Sequence, residues 1–354
     1  MRVVYINLQL ATKTLSSTDQ GPVELLTSAI ASIPTLVHLS PIEVIESEDE
    51  QYLASKDLKS VHIAIVDSAF TAWRHLPSVK LICVAWAGID KLLVGAANNP
   101  VVRQARVVRL VDPDLSERMA QSALAHTLTV HREYHTIRTN QSQKKWVRTP
   151  TGTLPIPTRK YRIVVVGMGV IGSKVTTTLV RNGFLNVAGW STSERTLSIA
   201  TLDSNDSITN ILVPVLAGDD ALHTLLAEAD VVINILPLTE QTRGLFDFDK
   251  LKRMRRPHSA FVNLGRGATV VEEDVVKALD DPLVGLDSAI LDVFRVEPLP
   301  AASPLWEHPK VIVTPHMAAL TDYVNSSTVI ANNIRLFIDG DENIPGTVDF
   351  SRGY

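Results

Sequence analysis

Short apolar runs recur along the chain, separated by segments whose apolar residues fall at helical spacing. In the first third, Val3–Leu8, Val61–Val66, Leu81–Ala85 and Arg106–Val111 are rich in Val and Ile and nearly continuously apolar. That pattern predicts parallel strands buried on both faces. Val23–Ser32 and Ile89–Ala97 read as helices between them, so a small α/β unit is expected. From Ser116 to Arg138 the chain holds good helix formers without Gly or Pro. Pro113 lies just upstream, and Asp114 or Ser116 offers the N-cap. A helix of this length predicts an arm that packs between domains or subunits. The turn formers of Thr149–Thr158 then break the periodicity.

Alternation resumes at Arg162 and is clearer. Strands are predicted at Ile163–Val166, Val187–Trp190, Val231–Leu236, Ala260–Leu264, Ala289–Val293 and Val311–Thr314. Helices are predicted at Ser173–Asn182, Asp219–Glu228 and Glu272–Leu279. Repeated strand–helix alternation implies right-handed crossovers and a doubly wound parallel sheet. The stretch Ser191–Asn210, rich in Ser, Thr, Asn and Asp, reads as a surface loop.

Composition narrows the function classes. At 354 residues, two domains are the expectation. A net charge of −4 argues against a general nucleic-acid binder, which needs a basic face. No apolar run approaches the roughly 18 residues of a membrane span, and Met1–Ile6 is too short for a signal peptide. The single cysteine, Cys83, sits within an apolar run and is expected to be a small buried hydrophobe. A reducing, cytoplasmic compartment fits it.

The strongest local signal is Gly167-Met168-Gly169-Val170-Ile171-Gly172, which ends an apolar strand and opens a helix. In that context three glycines predict a dinucleotide cradle. Gly167 allows the tight turn, Gly169 the close approach of a pyrophosphate and Gly172 close helix–strand packing. The next strand ends not at an acid but at Ser191-Thr192, followed by Glu194 and Arg195. A hydroxyl and an arginine there favour the 2′-phosphate of NADP(H), with NAD(H) as the alternative.

Three further segments each set a reactive residue just beyond a predicted strand: Arg266 after Ala260–Leu264, Glu297 after Ala289–Val293, and His316 after Val311–Thr314. Strand C-terminal ends line the ligand site in a doubly wound sheet, so these groups can converge. Together they match the needs of 2-oxo acid reduction. Arg supplies a bidentate cation for the substrate carboxylate, and a carboxylate-paired His supplies a proton near neutral pH.

These motifs resemble the D-isomer-specific 2-hydroxyacid dehydrogenases, with the closest similarity to their glyoxylate/hydroxypyruvate reductase A type. The resemblance runs from Val61 to Tyr354 and is tightest over Gly167–Lys174, Asn263–Asp274 and Leu291–Ala319. It implies a Rossmann cofactor domain, 116–320, inserted in a smaller flavodoxin-like substrate domain, 1–115 and 321–354. It further implies that Arg266 anchors the substrate, that His316 exchanges the proton and that Glu297 favours the imidazolium. Asp292 would hold the nicotinamide carboxamide, and Leu236, Pro237 and Leu264 would border the cofactor. Ala87, Gly88 and Ile89 would offer backbone N–H groups to the substrate carboxylate, beside Trp86. A homodimer is implied as well.

The chain departs from the family pattern at Trp86, where a small or otherwise different residue is usual, at Gln121, where a glutamate is expected, and in a longer 192–216 segment. Formate dehydrogenase on the same scaffold is disfavoured because glutamine partners its histidine, whereas Glu297 stands here. A dinucleotide-sensing regulator is the rival of another class. No metal is expected: His131 and His135, an i, i+4 pair beside His126, lack a third ligand.

Overall fold

The computed structural model describes residues 2–6, 21–39, 43–45, 49–96, 98–150, 152, 154–202 and 207–353. Of the predicted elements, residues 7–8, Ala97, residues 151 and 153 and residues 203–206 lie outside these, as does Tyr354. The chain divides into two compact units, Met1–Leu115 with Thr321–Tyr354, and Ser116–Leu320.

The first unit carries β1 (Val3–Ile6), α1 (Pro22–Ala31), β2 (Glu43–Ile45), α2 (Glu50–Ala54), β3 (Ile63–Val66), β4 (Leu81–Val84), α3 (Asp90–Ala96), α4 (Pro100–Gln104) and β5 (Arg106–Arg109). Its parallel sheet has the order β2-β1-β3-β4-β5, the flavodoxin-like arrangement. Every residue of β3 and β4 is buried. That burial accounts for the unbroken apolar runs, because helices cover both faces. Cys83 lies in this sheet, and burial pushes its thiol up to about 12.

The second unit opens with α5 (Pro113–His131, begun in the first unit) and α6 (Tyr134–Ser142). It continues with β6 (Ile163–Val166), α7 (Val170–Arg181), β7 (Val187–Trp190), β8 (Arg195–Leu202), β9 (Ile208–Leu216), α8 (Asp219–Glu228) and β10 (Val231–Asn234). Then come α9 (Phe248–Leu251), β11 (Ser259–Asn263), α10 (Glu272–Asp280), β12 (Leu286–Leu291) and β13 (Val311–Val313). The chain closes in the first unit with α11 (Tyr323–Ile338). The sheet order is β13-β12-β11-β10-β6-β7-β9-β8, so strand order reverses between β6 and β10. That is the switch point at which doubly wound sheets bind ligands. In α7, Gly172, Val175, Thr176, Leu179 and Val180 are buried, the i, i+3, i+4 stripe that seats a helix on a sheet.

Two expectations are corrected. The predicted Ser191–Asn210 loop is largely an antiparallel hairpin, with Leu197 opposite Val213 and Ile199 opposite Ile211. It lies at the sheet edge, and its alternate residues are the less exposed ones, with only Ile199, Val213 and Val215 buried, so the outward Thr, Ser and Asn positions make it look like a loop. The predicted single helix over 116–138 is two helices. Its first turn begins earlier, at Pro113, where Asp112 Oδ1 accepts the Asp114 N–H at 2.9 Å; Asp112, not Asp114 or Ser116, closes that end. The break falls at Glu133, whose φ is 56°. His131 at the end of α5 stands edge-on to Tyr161, with ring centroids 4.8 Å apart, and its Nε2 donates to the Ile156 carbonyl at 2.6 Å. His131 and His135 therefore do not share one helical face. Among the described residues no helix is long and apolar enough to cross a membrane.

Candidate active site

The glycine loop follows β6 directly. Gly167 adopts φ 106°, and a Cβ there would meet the Ile235 carbonyl carbon at 2.9 Å. A Cβ on Gly172 would lie 1.9 Å from the Gly167 carbonyl oxygen, so helix and loop are in backbone contact. Gly169, the residue before α7, faces open space: nothing lies within 4 Å of a Cβ built on it. Val170 beside it is exposed. A free approach to the N-terminus of a twelve-residue helix suits a pyrophosphate, because its first amides are unpaired and its dipole favours an anion. The residues present therefore fit a dinucleotide. Met168 contributes backbone only, since its side chain is buried against the site of Gly189 and near the Thr176 hydroxyl.

At the end of β7, the Ser191 N–H is held by the Leu216 carbonyl at 2.9 Å, leaving the side chain half-buried beside exposed Thr192. The Arg195 guanidinium reaches back to donate to the Met168 carbonyl. The start of the hairpin thus delivers a cation to the glycine loop.

Leu236 and Leu264 are buried, with Leu236 just beyond β10 and Leu264 just beyond β11, so each presents mainly backbone. Pro237 is exposed, and its carbonyl accepts from the Thr242 hydroxyl at 2.7 Å.

The reactive groups of the second unit converge as their strand ends predict. His316 Nδ1 lies 2.7 Å from Glu297 Oε2, while Glu297 Oε1 accepts the Phe294 N–H at 2.9 Å. Burial works against ionising Glu297, but the hydrogen bonds from His316 and Phe294 and the charges of His316 and Arg266 outweigh it. The carboxyl is held below its ordinary 4.5. His316 is half-exposed, and among the described residues its Nε2 hydrogen-bonds to no protein group. Arg266 is partly buried, and its Nη1 donates to the Gly265 carbonyl at 2.8 Å.

His316 has φ 50°, a left-handed conformation that costs a non-glycine residue about 1–3 kcal/mol. Asp292 holds it there. The Asp292 carbonyl accepts the His316 N–H at 2.8 Å. Its buried carboxylate accepts the Thr314 hydroxyl at 2.6 Å and the Met317 and Ala318 N–H groups at 3.0 Å each. The Ala318 carbonyl in turn accepts from Ser122 on α5 at 2.7 Å. This clamp was not legible in the spacing; the family resemblance singles out Asp292 only as a cofactor contact.

In the first unit, Trp86 follows β4, and its Nε1 donates to Asp67 Oδ2 at 2.8 Å. Asp67 is buried at the end of β3 and also accepts the Ala69 N–H at 2.8 Å. Ile89 is buried, whereas Ala87 and Gly88 are half-buried. Among the described residues, the N–H groups of 87–89 donate to no protein acceptor. Asp67 escaped the sequence reading; its only signal is an acid directly after an apolar strand.

Comparison with known proteins follows this geometry. Residues 124–318 match the family model described as D-isomer specific 2-hydroxyacid dehydrogenase, NAD binding domain. Glyoxylate/hydroxypyruvate reductase A of Photorhabdus laumondii is 33% identical over 279 residues, covering 78% of this chain and 82% of that protein. A D-isomer specific 2-hydroxyacid dehydrogenase from Xanthobacter autotrophicus, solved with NADPH and MES, superimposes with a TM-score of 0.78 at 29% identity, covering 100% of this chain and 99% of that one. The NADPH-dependent glyoxylate/hydroxypyruvate reductase of Sinorhizobium meliloti, solved with NADP and sulfate, gives a TM-score of 0.76 at 27% identity, covering 100% of both chains.

Proposed function

The chain belongs to the D-isomer specific 2-hydroxyacid dehydrogenases, a family of oxidoreductases, and on that premise we propose that it reduces a small 2-oxo acid to the 2-hydroxy acid with NADPH. Glyoxylate and hydroxypyruvate are the first substrates to consider, given the names of its relatives. The observation that carries the reading is the 2.7 Å His316–Glu297 pair in the same unit as Arg266 and an open glycine cradle.

Bound nicotinamide supplies the hydride. His316, with Nδ1 engaged by Glu297, carries its transferable proton on Nε2 and gives it to the oxygen that becomes the hydroxyl; in the reverse direction it takes that proton back. Arg266 turns from the Gly265 carbonyl to the substrate carboxylate, where its planar fork makes two hydrogen bonds. Within the first unit, the amides of Ala87, Gly88 and Ile89 suit a carboxylate, and Trp86 beside them is held by Asp67. A carboxylate accepts about four hydrogen bonds; with three side-chain acceptor contacts used at Asp292, one remains for the nicotinamide carboxamide.

Preference for NADPH is supported by Ser191, Thr192 and Arg195 in place of an acid, and by the NADP-bound neighbours. Exposed Leu128, Tyr134 and Ile137 on α5 and α6 supply an apolar surface for a homodimer. Loss of NADPH absorbance on adding glyoxylate or hydroxypyruvate tests the function. A protein that binds NADPH yet turns over no 2-oxo acid would instead favour a dinucleotide sensor.

A further inference from the structure

Three buried polar side chains stand where β10 and β11 end, and none belongs to the chemistry above. Asn234 Nδ2 donates to Asn263 Oδ1 at 2.9 Å and to Thr269 Oγ1 at 2.8 Å. Asn234 Oδ1 accepts the Leu236 N–H at 3.2 Å, so both of its donor hydrogens and its oxygen are engaged. Asn263 Oδ1 also accepts the Gly265 N–H at 3.3 Å. The Thr269 hydroxyl gives its own hydrogen to the Arg266 carbonyl at 2.6 Å, and the Thr269 N–H reaches the same oxygen at 3.1 Å. With that hydrogen committed, Thr269 Oγ1 can only accept from Asn234, which fixes the direction of the whole chain of bonds.

The backbone groups served are the Leu236 N–H, the Gly265 N–H and the Arg266 carbonyl. They belong to two separate loops, one bordering the proposed cofactor site and one carrying the substrate anchor. The loops also touch directly: a Cβ on Gly265 would lie 2.6 Å from the Leu236 carbonyl oxygen. A buried polar trio carries a desolvation cost that apolar residues at these strand ends would avoid. Its return is that both loops are tied to one amide group.

We propose that Asn234 is a positioning residue that sets the Arg266 loop and the Leu236-Pro237 loop in common, so that the substrate anchor is placed relative to the cofactor border. Its functional consequence rests on the 2-oxo acid reductase reading. The hub itself is a property of the free chain. Loosening it displaces the Arg266 fork and weakens the substrate, and it frees the Leu236 amide at the same time.

The test uses the full chain and the variants Thr269→Val, which keeps shape but loses the hydroxyl, Asn234→Asp, which loses both donors, and Thr269→Ser, which keeps the hydroxyl. Hydrogen–deuterium exchange is followed over residues 235–245 and 264–271, together with KM and kcat for glyoxylate and the Kd of NADPH. Thr269→Val is expected to accelerate exchange in both segments and to raise KM for glyoxylate about tenfold, with a smaller change in kcat. Thr269→Ser recovers most of that loss, and the Thr269→Val/Asn234→Asp double variant is no worse than the poorer single variant. Acceleration confined to 264–271, or a folded Thr269→Val protein with unchanged KM, would overturn the proposal. Should the unaltered enzyme reduce no 2-oxo acid, the reductase reading fails, and exchange in the two segments still decides the hub.

Discussion

His316 Nδ1 stands 2.7 Å from Glu297 Oε2, and the turn that presents the imidazole is held in its left-handed conformation by Asp292. The proposed proton donor, the carboxylate paired with it and the clamp beneath it thus come from two neighbouring strand ends, β12 and β13. In the proposed reaction this donor acts only on the substrate oxygen. His316→Ala is therefore expected to lower kcat for reduction by roughly 10²–10⁴-fold while leaving the Kd of NADPH within about twofold of its starting value. Steady-state kinetics with a fluorescence titration checks both, and a reduction rate unchanged in the variant removes His316 from the mechanism.

Arg266→Lys keeps the charge and loses the planar fork. KM for the 2-oxo acid should rise by about tenfold or more, because a point cation cannot make the paired contact. Equal KM values for the two proteins would mean that Arg266 does not hold the carboxylate.

Arg195 reaches the glycine loop from the start of the hairpin. Arg195→Leu should raise the KM of NADPH by about tenfold and leave that of NADH nearly unchanged, since only the former carries a 2′-phosphate for a charge-assisted bond. Parallel loss with both cofactors would place the effect in the fold of the hairpin instead.

The sequence made the strand ends readable but not all of what joins them. β3, β4 and β6 are apolar on both faces, so their runs stand out, and Gly167, Gly169 and Gly172 follow one of them at informative spacing. The hairpin β8–β9 was hidden because a half-exposed edge pair has polar outer residues and resembles a loop. The break at Glu133 was hidden for another reason: Arg132 and Glu133 are good helix formers, and α5 stops where His131 meets Tyr161 and Ile156, which lie far along the chain. Asn234 at the end of β10, like Asp67 after β3, shows only as a polar residue at an apolar strand end; its partner Asn263 becomes visible once strands β10 and β11 are paired, and Thr269 only in the fold.

Glu297 also makes stability depend on pH. Its carboxyl is held below the ordinary 4.5 in the folded chain, so around that pH the unfolded chain binds more protons. The stabilisation is fully present above the unfolded value and is lost as pH falls through the lower folded value. Urea unfolding from about pH 6 down to about pH 3 should show a shallower loss of stability in Glu297→Gln than in the unaltered chain. Identical slopes would mean that Glu297 is not ionised in a stabilising pair.

The central claim is tested most directly by following the absorbance of reduced nicotinamide while glyoxylate, hydroxypyruvate and pyruvate are each supplied with NADPH and, in parallel, with NADH. The account predicts rapid oxidation with at least one of these acids, faster with NADPH than with NADH and abolished in His316→Ala. No oxidation with any of them, by protein shown to bind NADPH, would contradict it.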